Sequence, residues 1–284
     1  MPQKPLVLVA ALFILFGCRA LPVKAQQTRY LTEEFRMHKS FHSKFLSKDR
    51  DVIVWLPPGY DSTPNKRYPV LYMHDGGTVF VQWGLDETAR ALISNGQIEP
   101  LIIVFVSHGG TLEDRFDEYT PTRPPDSRHG GKADRYGELL VEELKPFIDS
   151  EYRTLADSSN TGIGGVSLGA LASLHFGLKH PTVFGRLAVM SPSVWWDNRA
   201  VLRKVKALKA KLSTRIWLDI GTGEGPQMRN DVKELRDSLT KKGWVLKSDL
   251  IYFEAEGGKH NEESFAKRAA PMLKFLFARR VGNE

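Results

Sequence analysis

The sequence predicts an α/β protein, with a mostly parallel central sheet of about eight strands and helices on both faces. Two observations carry this expectation. Short apolar runs alternate with stretches of helical periodicity from about Asp51 onward, as expected of strands buried on both faces and joined by crossover helices. Within that alternation, Thr161-Gly162-Ile163-Gly164-Gly165-Val166-Ser167-Leu168-Gly169-Ala170 sets a serine in the frame G-x-S-x-G, between an apolar run and a helical pattern. Small residues two before and two after the serine suit a sharp strand-to-helix turn, because the chain doubles back on itself there.

In chain order, Met1–Ala25 reads as an export signal outside the fold. Lys4 makes a positive start, Leu6–Cys18 is apolar or small throughout, and Val23-Lys24-Ala25 fits a cleavage site. The run is shorter than the ~20 residues that span a bilayer. Leu15-Phe16-Gly17-Cys18 offers an alternative, lipidation at Cys18, which would tether the protein to a membrane. The expected remainder is one domain, residues 26–284, without internal repeats or a low-complexity linker. Arg36–Ser47 and Asp51–Leu56 read as a leading hairpin, with Pro57-Pro58-Gly59-Tyr60-Asp61 as a turn cluster. Further strands are expected at Val70–His74, Leu101–Ser107, Thr161–Val166, Leu187–Met190, Arg215–Ile220 and Ser248–Phe253. Helical patterns cover Asp86–Asn95, Asp134–Glu151, Leu168–Lys179, Ala200–Lys211, Met228–Lys242 and Glu262–Phe277.

Composition narrows the function. The chain carries 40 Lys and Arg against 33 Asp and Glu; the signal holds three of the bases (Lys4, Arg19, Lys24), so 37 against 33 remain, a balance of +4. So mild a charge, with no basic stripe, gives no reason to invoke nucleic acid. Cys18 is the one cysteine, so an exported domain would have no disulfide and must be held by its core. The eight histidines show no H-E-x-x-H spacing and no G-x-x-x-x-G-K-S/T occurs, so neither a metal nor a cofactor is expected.

In open α/β sheets ligands bind beyond the carboxyl ends of the strands. The loops there hold His74-Asp75-Gly76, Ser167, Asp219 to Gly225, and Gly257-Gly258-Lys259-His260. Read along the chain, the order is nucleophile Ser167, acid, then His260, which is the order of an α/β-hydrolase triad. His260 is the candidate base, a neutral imidazole able to take the serine proton. Glu224, on the glycine-rich loop beyond its strand, is the favoured acid; Asp219, Asp231 and Asp249 stay open. The helix after Ser167 directs its N-terminal amides at the turn, where negative charge would develop.

The G-x-S-x-G turn, His74-Asp75-Gly76, Trp83-Gly84-x-Asp86-Glu87, Arg115 with Glu118-Tyr119-Thr120-Pro121, Ser191-Pro192-Ser193-x-Trp195-Trp196, Gly221-Thr222-x-Glu224 and Gly258-x-His260-Asn261 together resemble the "Putative esterase" family of α/β hydrolases. That family resembles esterase D and includes enterobactin-type siderophore esterases, feruloyl and acetyl-xylan esterases and mycolyltransferases. The resemblance runs from about Leu46 to the C-terminus. It implies an α/β-hydrolase fold, Ser167 as nucleophile, His260 as base, Glu224 as acid, and an oxyanion hole made by the amides of Leu168 and Gly76. His74 and Asp75 are expected to shape that loop.

Three further residues are candidates for substrate contact. Trp195 and Trp196 would wall an acyl pocket, or else pack in the core or a lid. Arg115, in the long polar stretch from Ser107 to Lys132, would face an anionic group, or else pair with Asp114, Asp117 or Glu118. The expected activity is hydrolysis of a siderophore ester or a feruloyl or acetyl carbohydrate ester. Acyl transfer on the same triad and a non-catalytic binding protein on the same fold are the alternatives.

Overall fold

The computed structural model describes residues 33–279. The export signal expected over Met1–Ala25, and with it Cys18, lies outside the described residues. One sheet holds eight strands: β1 (Phe35–Phe41), β2 (Arg50–Trp55), β3 (Val70–Met73), β4 (Ile102–Val106), β5 (Thr161–Val166), β6 (Arg186–Met190), β7 (Arg215–Gly221) and β8 (Leu250–Ala255). Their order in space is β1-β2-β4-β3-β5-β6-β7-β8. The pairs β1–β2 and β2–β4 are antiparallel, and all others are parallel.

Strand periodicity decides which side chain enters which layer. Val70 and Tyr72 of β3, with Ile102, Val104 and Val106 of β4, pack on one face. Leu71, Met73, Ile103 and Phe105 pack on the other. The helices are α1 (Gly76–Trp83), α2 (Leu85–Ser94), α3 (Leu112–Tyr119), α4 (Ala133–Glu138), α5 (Lys145–Glu151), α6 (Leu168–Lys179), α7 (Trp196–Ala207), α8 (Pro226–Lys241) and α9 (Glu262–Leu276). Val79 and Trp83 of α1, Leu92 of α2 and Phe265 and Met272 of α9 cover the second face. The first is covered from α4 to α8, by residues such as Tyr136, Leu144, Leu174, Leu202 and Leu235. Helix α6, which follows the serine, is buried from Leu168 to Leu178, which explains its lack of a polar side.

Four elements depart from expectation. The helix expected over Asp134–Glu151 is interrupted by a π-helical turn, Leu139–Leu144, just before Pro146. Pro146 has no N–H for the carbonyl four residues back and its ring crowds that carbonyl, so the chain widens there. Helix α7 begins at Trp196, but Asp197, Asn198 and Arg199 adopt left-handed backbone before regular helix resumes. Helix α1 opens with Gly76-Gly77, a loop signal, and forms because Val79 and Trp83 are buried. Helix α3 lies inside the long polar stretch from Ser107 to Lys132, outside every expected helix, and Thr111 with Asp114 forms a reciprocal capping box at its start.

Strands β3 and β5 are hydrogen-bonded neighbours, and Met73 stands opposite Gly164. The loops that follow them therefore lie side by side, and the loops after β6, β7 and β8 continue the same edge.

Candidate active site

The turn at Ser167 is strained as the spacing predicts. Ser167 has φ 56 and ψ −117, a backbone conformation that side chains rarely adopt. A Cβ on Gly165 would stand 2.9 Å from the carbonyl carbon of Gly169, so the doubling-back tolerates only glycine there. The Ser167 amide donates to the Met190 carbonyl at 3.1 Å, which ties the turn to β6. Leu168 is the first residue of α6, and its N–H has no acceptor within the helix. Gly76 stands in the same place on α1, after Asp75 in left-handed conformation (φ 55). A Cβ on Gly76 would lie 2.6 Å from the Val106 nitrogen, so the loop can rest on the end of β4 only as glycine. Among the described residues neither amide has a hydrogen-bond acceptor, and the N-terminal ends of two helices are therefore left with open donors.

His260 and Glu224 come together as expected. His260 Nδ1 and Glu224 Oε2 are 2.7 Å apart. The imidazole is 29% exposed and the carboxylate 0%, so the ring meets solvent while its partner does not. The ring stands edge-on to Phe265, 5.1 Å between centroids. Burial pushes the Glu224 carboxyl up, but the hydrogen bonds from His260 and Ser191, the His260 charge and the Gly221 amide together outweigh it and hold the group below its ordinary value. The Ser167 hydroxyl is hydrogen-bonded to Ser193 Oγ, 3.0 Å away, and the Ser193 amide donates to the Ser167 carbonyl at 3.1 Å.

The other candidate acids are engaged elsewhere. Asp219 is fully buried in β7 and accepts from Arg268 Nη1 at 2.5 Å and Trp217 Nε1 at 2.7 Å. Burial pushes its carboxyl up to about 6, against the pull of Arg268, Trp217 and the Ser191 amide. Asp231 pairs with Arg199 at 2.8 Å, and Asp249 with Lys211.

The expectations for substrate contact need correction. Arg115 is ion-paired, but with none of the three acids expected: its Nε and Nη2 donate to the two oxygens of Asp75 at 2.7 and 2.8 Å. Asp114 pairs with Lys48, Asp117 with Lys132 and Glu118 with Arg50. Chain distance misled, because Asp75 is forty positions away and only the neighbouring of β3 and β4 brings it near. Burial pushes the Asp75 carboxyl up, and Arg115 reverses this, so the acid is held below its usual range. Trp196 is no pocket wall: it is 5% exposed, stacks on Phe116 at 5.4 Å and donates Nε1 to the Thr122 carbonyl at 2.9 Å. Trp195 is 49% exposed and remains available to a ligand.

Ser191, Ser193 and Arg268 were not among the expected site residues. Ser191 and Ser193 lie in the Ser191-Pro192-Ser193 block that carries the family resemblance, which implies no role for either, and Arg268 reads as an ordinary helix arginine. Its one warning in the sequence is its place between apolar Phe265, Ala269 and Met272 on the buried side of α9. His74 packs among Tyr119, Tyr136 and Phe176, with Nδ1 3.0 Å from the Tyr136 hydroxyl. Among the described residues no group of three or more His, Cys, Asp or Glu is disposed to hold a metal ion. No helix among them is long and apolar enough to cross a membrane.

Comparison with known proteins agrees with this architecture. Residues 43–276 match the family described as "Putative esterase". The chain is 28% identical over 234 residues to an endo-1,4-beta-xylanase/feruloyl esterase of Xylanibacter ruminicola, covering 77% of this chain and 27% of that longer protein. It is 29% identical over 239 residues to the ferri-bacillibactin esterase BesA of Bacillus subtilis, covering 74% of this chain and 80% of that one. The crystal structure of the BES protein from Bacillus cereus superposes with a TM-score of 0.74 at 24% identity, over 88% of this chain and 97% of that one. The family match spans most of the chain, and so the protein belongs to the "Putative esterase" family, a carboxylic-ester hydrolase on the α/β-hydrolase fold.

Proposed function

We propose that the chain is an exported serine esterase whose mature form, residues 26–284, is one domain and cleaves its ester through an acyl-Ser167 intermediate. The observation that carries this reading is the buried Glu224 carboxylate 2.7 Å from His260 Nδ1, on the same sheet edge as the strained turn at Ser167. Glu224 holds the ring in the tautomer that leaves Nε2 free to accept. The Ser167 hydroxyl turns from Ser193 to that nitrogen, gives up its proton and attacks the ester carbonyl. The amides of Leu168 and Gly76 receive the developing oxyanion, which costs little reorganisation because their acceptors are already missing. The imidazolium, stabilised by Glu224, then protonates the leaving alcohol. Water repeats the cycle on the acyl-enzyme.

By the names of its relatives, the substrate is a siderophore ester or a feruloyl ester; an acetyl ester of a carbohydrate follows from the family resemblance alone. Trp195, exposed two residues after Ser193, is the candidate to meet an aromatic group. The test joins a panel of such esters with a fluorophosphonate probe. The mature protein should hydrolyse at least one ester and be labelled on Ser167, and Ser167→Ala should lose both. Near-parental turnover by Ser167→Ala would overturn the assignment.

A further inference from the structure

The structure points to Asp219 and Arg268 as a positioning pair for the acid Glu224: Arg268 fixes the carboxylate, and Asp219 takes up its charge so that Glu224 keeps its own for His260. This inference rests on the reading of His260 as general base.

Every nitrogen of Arg268 is committed. The residue is 2% exposed; Nε donates to the Ser264 carbonyl at 3.1 Å, Nη1 to Asp219 Oδ1 at 2.5 Å and to Ser191 Oγ at 2.9 Å, and Nη2 to Glu224 Oε1 at 3.4 Å. The contact with Asp219 is much the shorter of the two carboxylate contacts. Ser191 completes the link. Its hydroxyl accepts from Arg268 and donates to Glu224 Oε1 at 2.6 Å, while the Gly221 amide donates to the same oxygen at 2.8 Å. Oε1 is thus saturated, and Oε2 is presented to His260. Asp219 is pinned as firmly, with the Ser191 amide at 3.1 Å on Oδ1 and the Trp217 indole N–H at 2.7 Å on Oδ2.

Charge explains why two acids are present where the ring touches one. Arg268 and Glu224 alone would be a neutral buried pair, leaving the imidazolium little to interact with. Above the Asp219 value of about 6 that carboxyl is ionised, the group of three carries −1, and the unshared share sits on the oxygen facing the ring. Glu262 also acts on His260, and lies near the Asp75–Arg115 pair; these groups stand outside the cluster and are unaltered by changes within it. Asp219 and Arg268 touch neither the serine nor the substrate, and act through Glu224.

The experiment follows the protonation midpoint of His260 by NMR in the mature chain carrying Ser167→Ala, with the signal assigned by its loss in His260→Gln. Asp219→Asn leaves a net charge of zero behind the ring, and should lower the midpoint by about one pH unit relative to the parent. The double change Asp219→Asn with Arg268→Met restores −1, and should bring the midpoint back to the parental value. In chains retaining Ser167, kcat for an ester should fall about tenfold in the single variant, with KM nearly unchanged, and recover in part in the double. A purely structural role predicts the reverse order, the double being worse than the single. An amide at 219 can set an NH2 against the Trp217 N–H; if that variant fails to fold, the same comparison is made in Trp217→Phe. An unmoved midpoint in Asp219→Asn, or a double variant displaced further than the single, overturns the inference. Because the midpoint is read without turnover, inactivity of the parent on every ester would count against the esterase mechanism and not against the charge pair.

Discussion

His74 and His260 both lie in loops at the carboxyl edge of the sheet, each in a block that carries the family resemblance, yet their surroundings make them opposites. His74 is 1% exposed, enclosed by aromatic rings and hydrogen-bonded to a tyrosine hydroxyl. Burial lowers its pKa to about 4, so it stays neutral and serves as packing. His260 is partly exposed and holds a carboxylate on Nδ1. On the proposed mechanism a histidine serves as base through a committed acid on one side and access on the other; an adjacent acid in sequence, as Asp75 is to His74, supplies neither.

Replacing the two rings should separate these roles most sharply. His260→Gln is expected to lower kcat by about 10⁴-fold with a thermal midpoint close to the parent's, since on the proposed mechanism it removes the general base, and from a partly open loop. A kinetic assay and a melting curve on one preparation check this. Glu224→Gln should come next, with a loss on the order of 10³-fold borne by kcat and little change in KM. If Asp219→Asn were far more damaging than Glu224→Gln, Asp219 would be the acid.

A smaller effect is expected at Arg115. Because both of its bonds hold Asp75 in the loop that carries Gly76, Arg115→Ala should lower kcat/KM about tenfold, or ~1.4 kcal/mol, alike for anionic and neutral esters. A loss confined to anionic esters would show that Arg115 meets substrate after all.

His74 should reveal itself in stability and not in turnover. Its folded pKa of about 4 lies below the unfolded value of about 6.5, so the unfolded chain binds the extra proton between them. The resulting stability is present in full above about pH 6.5 and is lost as the pH falls toward 4, a term on the order of 3 kcal/mol. Asp219 and Glu118, raised by burial to about 6 and about 7, act with the opposite sign, so the parent's slope alone is ambiguous. The difference in unfolding free energy between the parent and His74→Gln cancels those terms, and should shrink from pH 7 to pH 4.5. A constant difference would mean that His74 is not held neutral.

Much of this edge was legible because it depends on local rules. A glycine two positions either side of Ser167 states the turn before any tertiary contact is known, and apolar runs of strand length state the sheet. The capping box of Thr111 and Asp114 could have revealed α3, but a charged helix inside a polar stretch has weak periodicity and reads as a loop. Helix α1 was illegible for a different reason: Gly76 and Gly77 oppose helix, and only burial of Val79 and Trp83 overrides them.

By itself the sequence determined the strand and helix alternation, the sharp turn at Ser167, and the chain order of the candidate serine, acid and histidine, since periodicity and glycine sterics act over a few residues. Only the tertiary structure decided which distant charges meet. Asp75 and Arg115, or Asp219, Glu224 and Arg268, are joined by the order of strands in the sheet and by α9 crossing its face. Such pairings have no local signature, because a buried ion pair sets an attraction strengthened by low dielectric against the cost of desolvation, and that balance is a property of the assembled layers and not of any segment.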